Sequence, residues 1–147
     1  MKLAKSYIYK VASTRTLTWT LNGKGYLSAT MRYNNHKYTI YKHVLVFFIH
    51  NGYVPEEVDH IDGNTLNNEP SNLRDSTRSQ NCSNRKVFSN NALGVKGVRK
   101  VGNSYQVRVC HNGKTTYMRA SSLEEAQVMS KRIRQSLHKE FANEGKI

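Results

Sequence analysis

Asp59 and His60 are neighbours in the sequence, and their side chains have complementary chemistry. A carboxylate is a hard oxygen ligand of the kind Mg²⁺ prefers. An imidazole titrates near neutrality and can take a proton from water. Phosphodiester hydrolysis calls for such a set: an activated water, a Lewis acid on the phosphate, and relief for the leaving oxygen. If the two residues lie on a strand, their side chains point to opposite faces, so a local bend or bulge would have to bring both to one phosphate. The bland reading of the pair is a solvated strand end.

The charge pattern suits a polyanion partner. The 147-residue chain has a formal net charge of +13. Residues 1–55 hold eight Lys/Arg and no Asp or Glu; the six acids of the first half all fall between Glu56 and Asp75. From Arg85 onward thirteen basic residues face four acidic ones. A basic chain with one acidic island fits a cation site inside a phosphate-binding surface, because counterion release rewards Lys and Arg placed near phosphates. Cys82 and Cys110 form no CxxC pair, which argues against a disulfide framework or structural zinc. The N-terminus lacks an apolar signal-peptide region, and the run Val44–Ile49 is too short to span a bilayer. The expectation is a cytoplasmic, reduced protein without membrane contact.

The elements that must position the pair read as follows. Segments 6–11, 16–21, 26–33 and 37–41 are rich in β-branched and aromatic residues and read as strands, with turn chemistry at Asn22-Gly23 and Asn34-Asn35. Residues 42–51 suggest a short helix closed by Gly52, although so short an apolar run also fits a strand. Asp75-Ser76-Thr77 could cap a helix reaching about Lys86. Ser89 to Gly94 reads as linker. Three further strands follow, with a hairpin signal at Asn112-Gly113. A helix over about 122–142 then carries the stripe Leu123, Ala126, Met129, Ile133, Leu137 and Phe141, opened by a capping box of Ser121 with Glu124 or Ser122 with Glu125.

The stretch Asp59-His60, Asp62-Gly63-Asn64, Asn67-Asn68, Asn72-Leu73-Arg74 and Asn81 resembles the HNH endonuclease family, most closely its phage and intron-encoded homing type. The upstream His43-Val44-Leu45-Val46 is similar to the HRLV segment of that family, and the resemblance covers about residues 38–86. It implies a ββα-metal fold. It also implies Asp59 and Asn81 as metal ligands, His60 as general base, and Asn72 as the residue that orients His60 and its loop. Mg²⁺ would be the cofactor, with Mn²⁺ as a substitute. Asp75 stands where many relatives have Trp, which bears on local packing more than on chemistry. Asp62-Gly63-Asn64 is a turn in any case, and Asn67 and Asn68 read as loop-backbone hydrogen bonders. His43 reads equally as a phosphate contact or a core residue.

Residues 94–143 resemble the AP2 DNA-binding domain through Gly97-Val98-Arg99, Tyr105-Gln106-Val107-Arg108-Val109, Asn112-Gly113-Lys114 and the Leu123-Glu124-Glu125-Ala126 helix start. The resemblance implies a three-stranded sheet that enters the major groove. Strand alternation turns Arg99, Gln106, Arg108, Tyr117 and Arg119 outward, where Arg and Gln can read base edges. Lys96, Lys100 and Lys114 read as phosphate contacts.

The expected fold class is α+β: an N-terminal antiparallel β segment leading into a ββα-metal nuclease core, then an AP2-like three-stranded antiparallel sheet on one helix. The expected domains are a nuclease over 1–88 (a β-rich stretch over 1–41, the metal motif over about 42–86), a linker over 89–95, and a DNA reader over 96–147. The expected partner is double-stranded DNA, bound by a monomer or weak dimer that nicks one strand per active site. The competing readings are a non-catalytic DNA-binding regulator and an RNA-directed nuclease.

Overall fold

The computed structural model describes residues 17–33, 35–87 and 90–143. The strand expected over 6–11 lies outside them. The chain forms two compact units, Met1–Ser76 and Thr77–Ile147. Among the described residues they hold three small antiparallel sheets and three α-helices, a mixed α+β architecture.

In the first unit, β1 (Thr20–Leu21), β2 (Leu27–Tyr33) and β3 (His36–Tyr41) form one sheet in that order. Strand β1 is only two residues long, shorter than the 16–21 segment suggested. The β1–β2 turn is held by Asn22, whose Oδ1 accepts from the backbone N–H groups of Lys24 and Tyr26 at 2.9 and 3.1 Å. Helix α1 (Lys42–Asn51) follows β3 directly, which settles the helix-or-strand ambiguity of that segment. It ends at Gly52, which adopts a left-handed φ of 77° and donates its N–H to Phe48 O at 2.8 Å. Glycine takes that conformation without a steric penalty. The helix is apolar on more than one side because it serves two clusters. Leu45 and Phe48 pack with Ile40, Trp19 and Met31, whereas Phe47 packs with Val58 and Leu73. Those last two belong to the second sheet, β4 (Glu57–His60) paired with β5 (Leu73–Ser76).

In the second unit, helix α2 (Arg78–Asn84) opens with a capping box at Thr77, the last of the three residues read as a cap. The Thr77 hydroxyl accepts from Gln80 N, and the Gln80 side chain returns to Thr77 N at 2.8 Å. Strands β6 (Val98–Val101), β7 (Ser104–His111) and β8 (Lys114–Ala120) form a sheet in that order, with helix α3 (Leu123–His138) behind it. Val98, Val107, Val109, Ala120 and Ala126 form its core, with Met129, Ile133 and Leu137 of the anticipated stripe against them. The start of α3 forms half of the expected Ser122–Glu125 capping box, with Ser122 as N-cap. Ser122 Oγ accepts from Glu125 N at 3.1 Å, while the Glu125 carboxylate takes the N–H and hydroxyl of Ser121 at 2.8 and 2.7 Å. Two polar residues, Ser130 and Arg134, sit buried on the inner face of α3. Both donate to Lys96 O, at 2.7 and 2.5 Å, so that this carbonyl has side-chain donors that apolar residues could not supply.

Candidate active site

Asp59 and His60 end β4, and both are buried, at 4% and 5% exposure. The alternation of the strand sends them into different surroundings. Asp59 lies opposite Arg74 in the β4–β5 register. The Arg74 guanidinium grips Asp59 Oδ2 through Nε at 2.9 Å and Nη2 at 2.8 Å. A buried carboxylate needs such compensation.

His60 instead enters an aromatic cluster. Its ring centroid lies 5.0 Å from His43 and 6.1 Å from Tyr26, and His43 is 5.2 Å from Tyr26 and 5.5 Å from Tyr41. His43 is the buried first-turn residue of α1, and its Nδ1 has no hydrogen-bond partner among the described residues. Burial, reinforced by the neighbouring His60, pushes the His43 pKa down to about 4. Burial also lowers the pKa of His60, against the opposing pull of the Asn68 amide and the carboxylates of Asp62 and Asp59. Both rings are therefore neutral at neutral pH, the form in which an imidazole accepts a proton.

The loop after His60 is tied down by its own side chains. Gly63 N donates to His60 O at 2.9 Å, closing a tight turn. Asn72 Nδ2 donates to Asp62 Oδ1 at 3.0 Å and Asn67 O at 2.8 Å, while its Oδ1 accepts from Asp62 N at 3.1 Å. Asn72 O takes the N–H of Ile61 at 2.9 Å. These contacts make Asn72 the brace of the 61–67 loop. The carboxylate of Asp62, accepting from Asn67, Asn64 and Asn72, has a lowered pKa although burial works against it.

Two features of the site were not assigned from the sequence. Arg74 was visible only as the end of Asn-Leu-Arg; its role follows from the strand register, which a hairpin count back to Asp59 could have supplied. Tyr26, just before β2, and Tyr41, at the end of β3, are far from His60 in the sequence, and no linear signal marks them. Asp75 is exposed and accepts a hydrogen bond from Tyr53 Oη at 3.1 Å, while the Tyr53 ring packs edge-on against Phe47 at 5.4 Å.

Asn81 belongs to the second unit, on α2. In that unit the β6–β7–β8 register aligns Arg99, Gln106 and Arg119 in one row and Arg108 with Tyr117 in the next of the same pleat. Arg99, Arg108, Tyr117 and Arg119 are exposed, and Arg99 Nε donates to Gln106 Oε1 at 2.8 Å. Lys100 and Lys114 are exposed at alternate pleat positions. Lys96 differs. Its ammonium donates to the carbonyls of Ser83, at 2.7 Å, and Arg85 at the end of α2. Burial and the nearby Arg134 and Arg85 lower its pKa to about 8.

Hard oxygen donors suit a divalent cation such as Mg²⁺, and the buried Asp59 carboxylate is one. Among the described residues no group of three or more His, Cys, Asp or Glu forms a metal cage. Such an ion would take much of its shell from phosphate oxygens and water, which Mg²⁺ tolerates. No helix among the described residues is long and apolar enough to cross a membrane.

Comparison with known proteins bears on this geometry. Residues 40–82 match the sequence family described as HNH endonuclease. The match runs across the boundary between the two compact units. Over 134 residues, 88% of this chain and 67% of the relative, the chain is 37% identical to an uncharacterised HNH endonuclease of Acanthamoeba polyphaga mimivirus. Over 105 residues, 69% of this chain and 87% of the relative, it is 34% identical to Protein 3.8 of Escherichia phage T7. No solved structure matches the chain significantly.

Proposed function

The chain belongs to the HNH endonuclease family and is a DNA phosphodiester hydrolase, and on that premise we propose that it is a homing-type enzyme that nicks one strand of duplex DNA per active site. The observation that supports its hydrolytic chemistry is the buried Asp59–His60 pair, with its carboxylate gripped by Arg74 and its imidazole against the His43 ring.

In this reading His60 accepts the proton of the attacking water, and the neutral ring is ready to do so at physiological pH. Asp59 and Asn81 would hold the divalent cation, which would be Mg²⁺ with Mn²⁺ as a substitute. When bound, that ion offsets charge at the phosphate and the leaving oxygen. Asn72 keeps the loop that follows His60 in one conformation, and His43 lines the site. β4, β5 and α2 correspond to a ββα-metal motif within a nuclease region over 1–88. Beyond the linker 89–95, residues 96–147 form an AP2-like reader. Arg99, Gln106, Arg108, Tyr117 and Arg119 face the groove, and Lys100 and Lys114 contact phosphates. Lys96, read with them as a phosphate contact, also donates to the Ser83 and Arg85 carbonyls at the end of α2.

Supercoiled plasmid tests this directly. With Mg²⁺, open circles should accumulate before linear product, and omission of the ion should stop the reaction. Linear product formed without an open-circle intermediate would refute the nicking mode. Run-off sequencing at scattered positions would refute the homing type.

A further inference from the structure

The loop that follows His60 is braced by its own polar side chains. Its polar side chains are turned onto one another: Asp62 accepts from Asn64 N, Asn67 and Asn72, Asn64 Oδ1 accepts from Leu66 N at 3.1 Å, and Thr65 Oγ1 donates to Gly25 O at 2.6 Å. The apolar side chains point to solvent. Ile61 and Leu66, the only apolar side chains of residues 61–68, are 45% and 52% exposed. A lone exposed leucine needs no explanation. Two aliphatic side chains held outward by a loop braced by its own side chains, one of them immediately after the general base, do.

We propose that Ile61 and Leu66 form an apolar wedge that enters the minor groove of duplex DNA, parts a base step and thereby seats the scissile phosphate at His60. The proposal rests on the nuclease reading above. Aliphatic side chains are the groups that unstack base steps from the minor groove, and the rigidity of the loop lets insertion push the DNA rather than the protein. The surroundings suit the polyanion. Thr65 ties the loop to the β1–β2 turn, which carries the exposed Lys24. Asn68 Nδ2 donates to Leu66 O at 2.9 Å, which adds to the bracing of the loop.

The test uses the full chain and a duplex with 2-aminopurine at the step beside the cleavage position, which run-off sequencing locates first. Binding in Ca²⁺ should raise the 2-aminopurine fluorescence of the wild-type complex several-fold, and Leu66→Ser with Ile61→Ser should abolish the rise. Single-turnover cleavage by that variant should fall about 10- to 100-fold, the equivalent of a few kcal/mol of unstacking. A mismatch at the same step, which unstacks it in advance, should bring the rate back to within about threefold of wild type. Both positions are exposed, so thermal unfolding of the variant should match wild type. His60→Ala should keep the fluorescence rise and lose cleavage, which separates the wedge from the chemistry. Wild-type protein that cuts no DNA in Mg²⁺ would overturn the nuclease reading. A variant that cuts like wild type, a fluorescence rise that survives it, or a mismatch that fails to rescue would overturn the wedge.

Discussion

The imidazoles of His43 and His60 meet edge to face, with centroids 5.0 Å apart and planes at 64°. Neither ring can take up a proton without charging a buried aromatic cluster that also contains Tyr26. The pair therefore places a proton-accepting base in a setting that keeps it unprotonated.

Acid should destabilise the protein through His43. Its pKa is about 4 folded, against about 6.5 unfolded. Between these values the unfolded chain binds the proton and the folded chain does not, so stability is full above pH 6.5 and falls as pH drops towards 4. The loss through this group amounts to roughly 3 kcal/mol. Urea unfolding at a series of pH values should show it, and His43→Phe should flatten the slope.

Cleavage should follow the lowered His60 pKa. The neutral base persists below the ordinary imidazole range, so single-turnover rate should stay level from pH 8 downward and decline only below about 6.5. A decline that begins well above neutrality would be incompatible with a buried neutral ring.

Arg74→Ala leaves the Asp59 carboxylate without the guanidinium that grips it. Removal of one partner of a buried pair costs about 3–5 kcal/mol. Chemical denaturation should reveal the loss, and Arg74→Lys, which supplies charge without the two-point grip, should recover only a fraction of it.

Asn72→Ala removes three side-chain hydrogen bonds that brace the 61–67 loop. Cleavage should drop about 10- to 100-fold, in the range seen when supporting hydrogen bonds around a metal site are removed. DNA affinity measured in the same samples should change little. A fall in affinity equal to the fall in rate would assign Asn72 to binding instead.

Gly97 has a left-handed φ of 73°, and an added Cβ would come within 2.4 Å of Arg108 O. Gly97→Ala should destabilise the second unit by roughly 2 kcal/mol or more and weaken DNA binding. Arg108→Ala should weaken binding without unfolding; if it contacts one phosphate, the salt slope of log K should fall by about 1.

Local signals made much of this legible in the sequence. Gly52 marked the end of α1 and Thr77 the start of α2, because caps are chemistry carried within four residues. Strand alternation identified the exposed face of the β6–β8 sheet, since Val107 and Val109 had to point inward. The alternation rule also foresaw that Asp59 and His60 diverge. What escaped were side chains whose roles depend on distant partners. Tyr26 lines the site because β2 folds back beside α1, Ser130 and Arg134 are buried where they donate to Lys96 O, and Lys96 makes hydrogen bonds to the Ser83 and Arg85 carbonyls that its charge alone did not foretell. The helix of residues 42–51 stayed ambiguous because it packs on two clusters and so lacks a single apolar stripe.

Single-turnover cleavage of plasmid DNA by His60→Ala, with binding measured on the same preparation, bears most directly on the role assigned to the Asp59–His60 pair. Mg²⁺-dependent cleavage should fall about 10²- to 10⁴-fold, as for loss of a general base, while DNA affinity stays within about twofold of wild type. A His60→Ala protein that binds and cuts DNA at the wild-type rate would contradict the assignment.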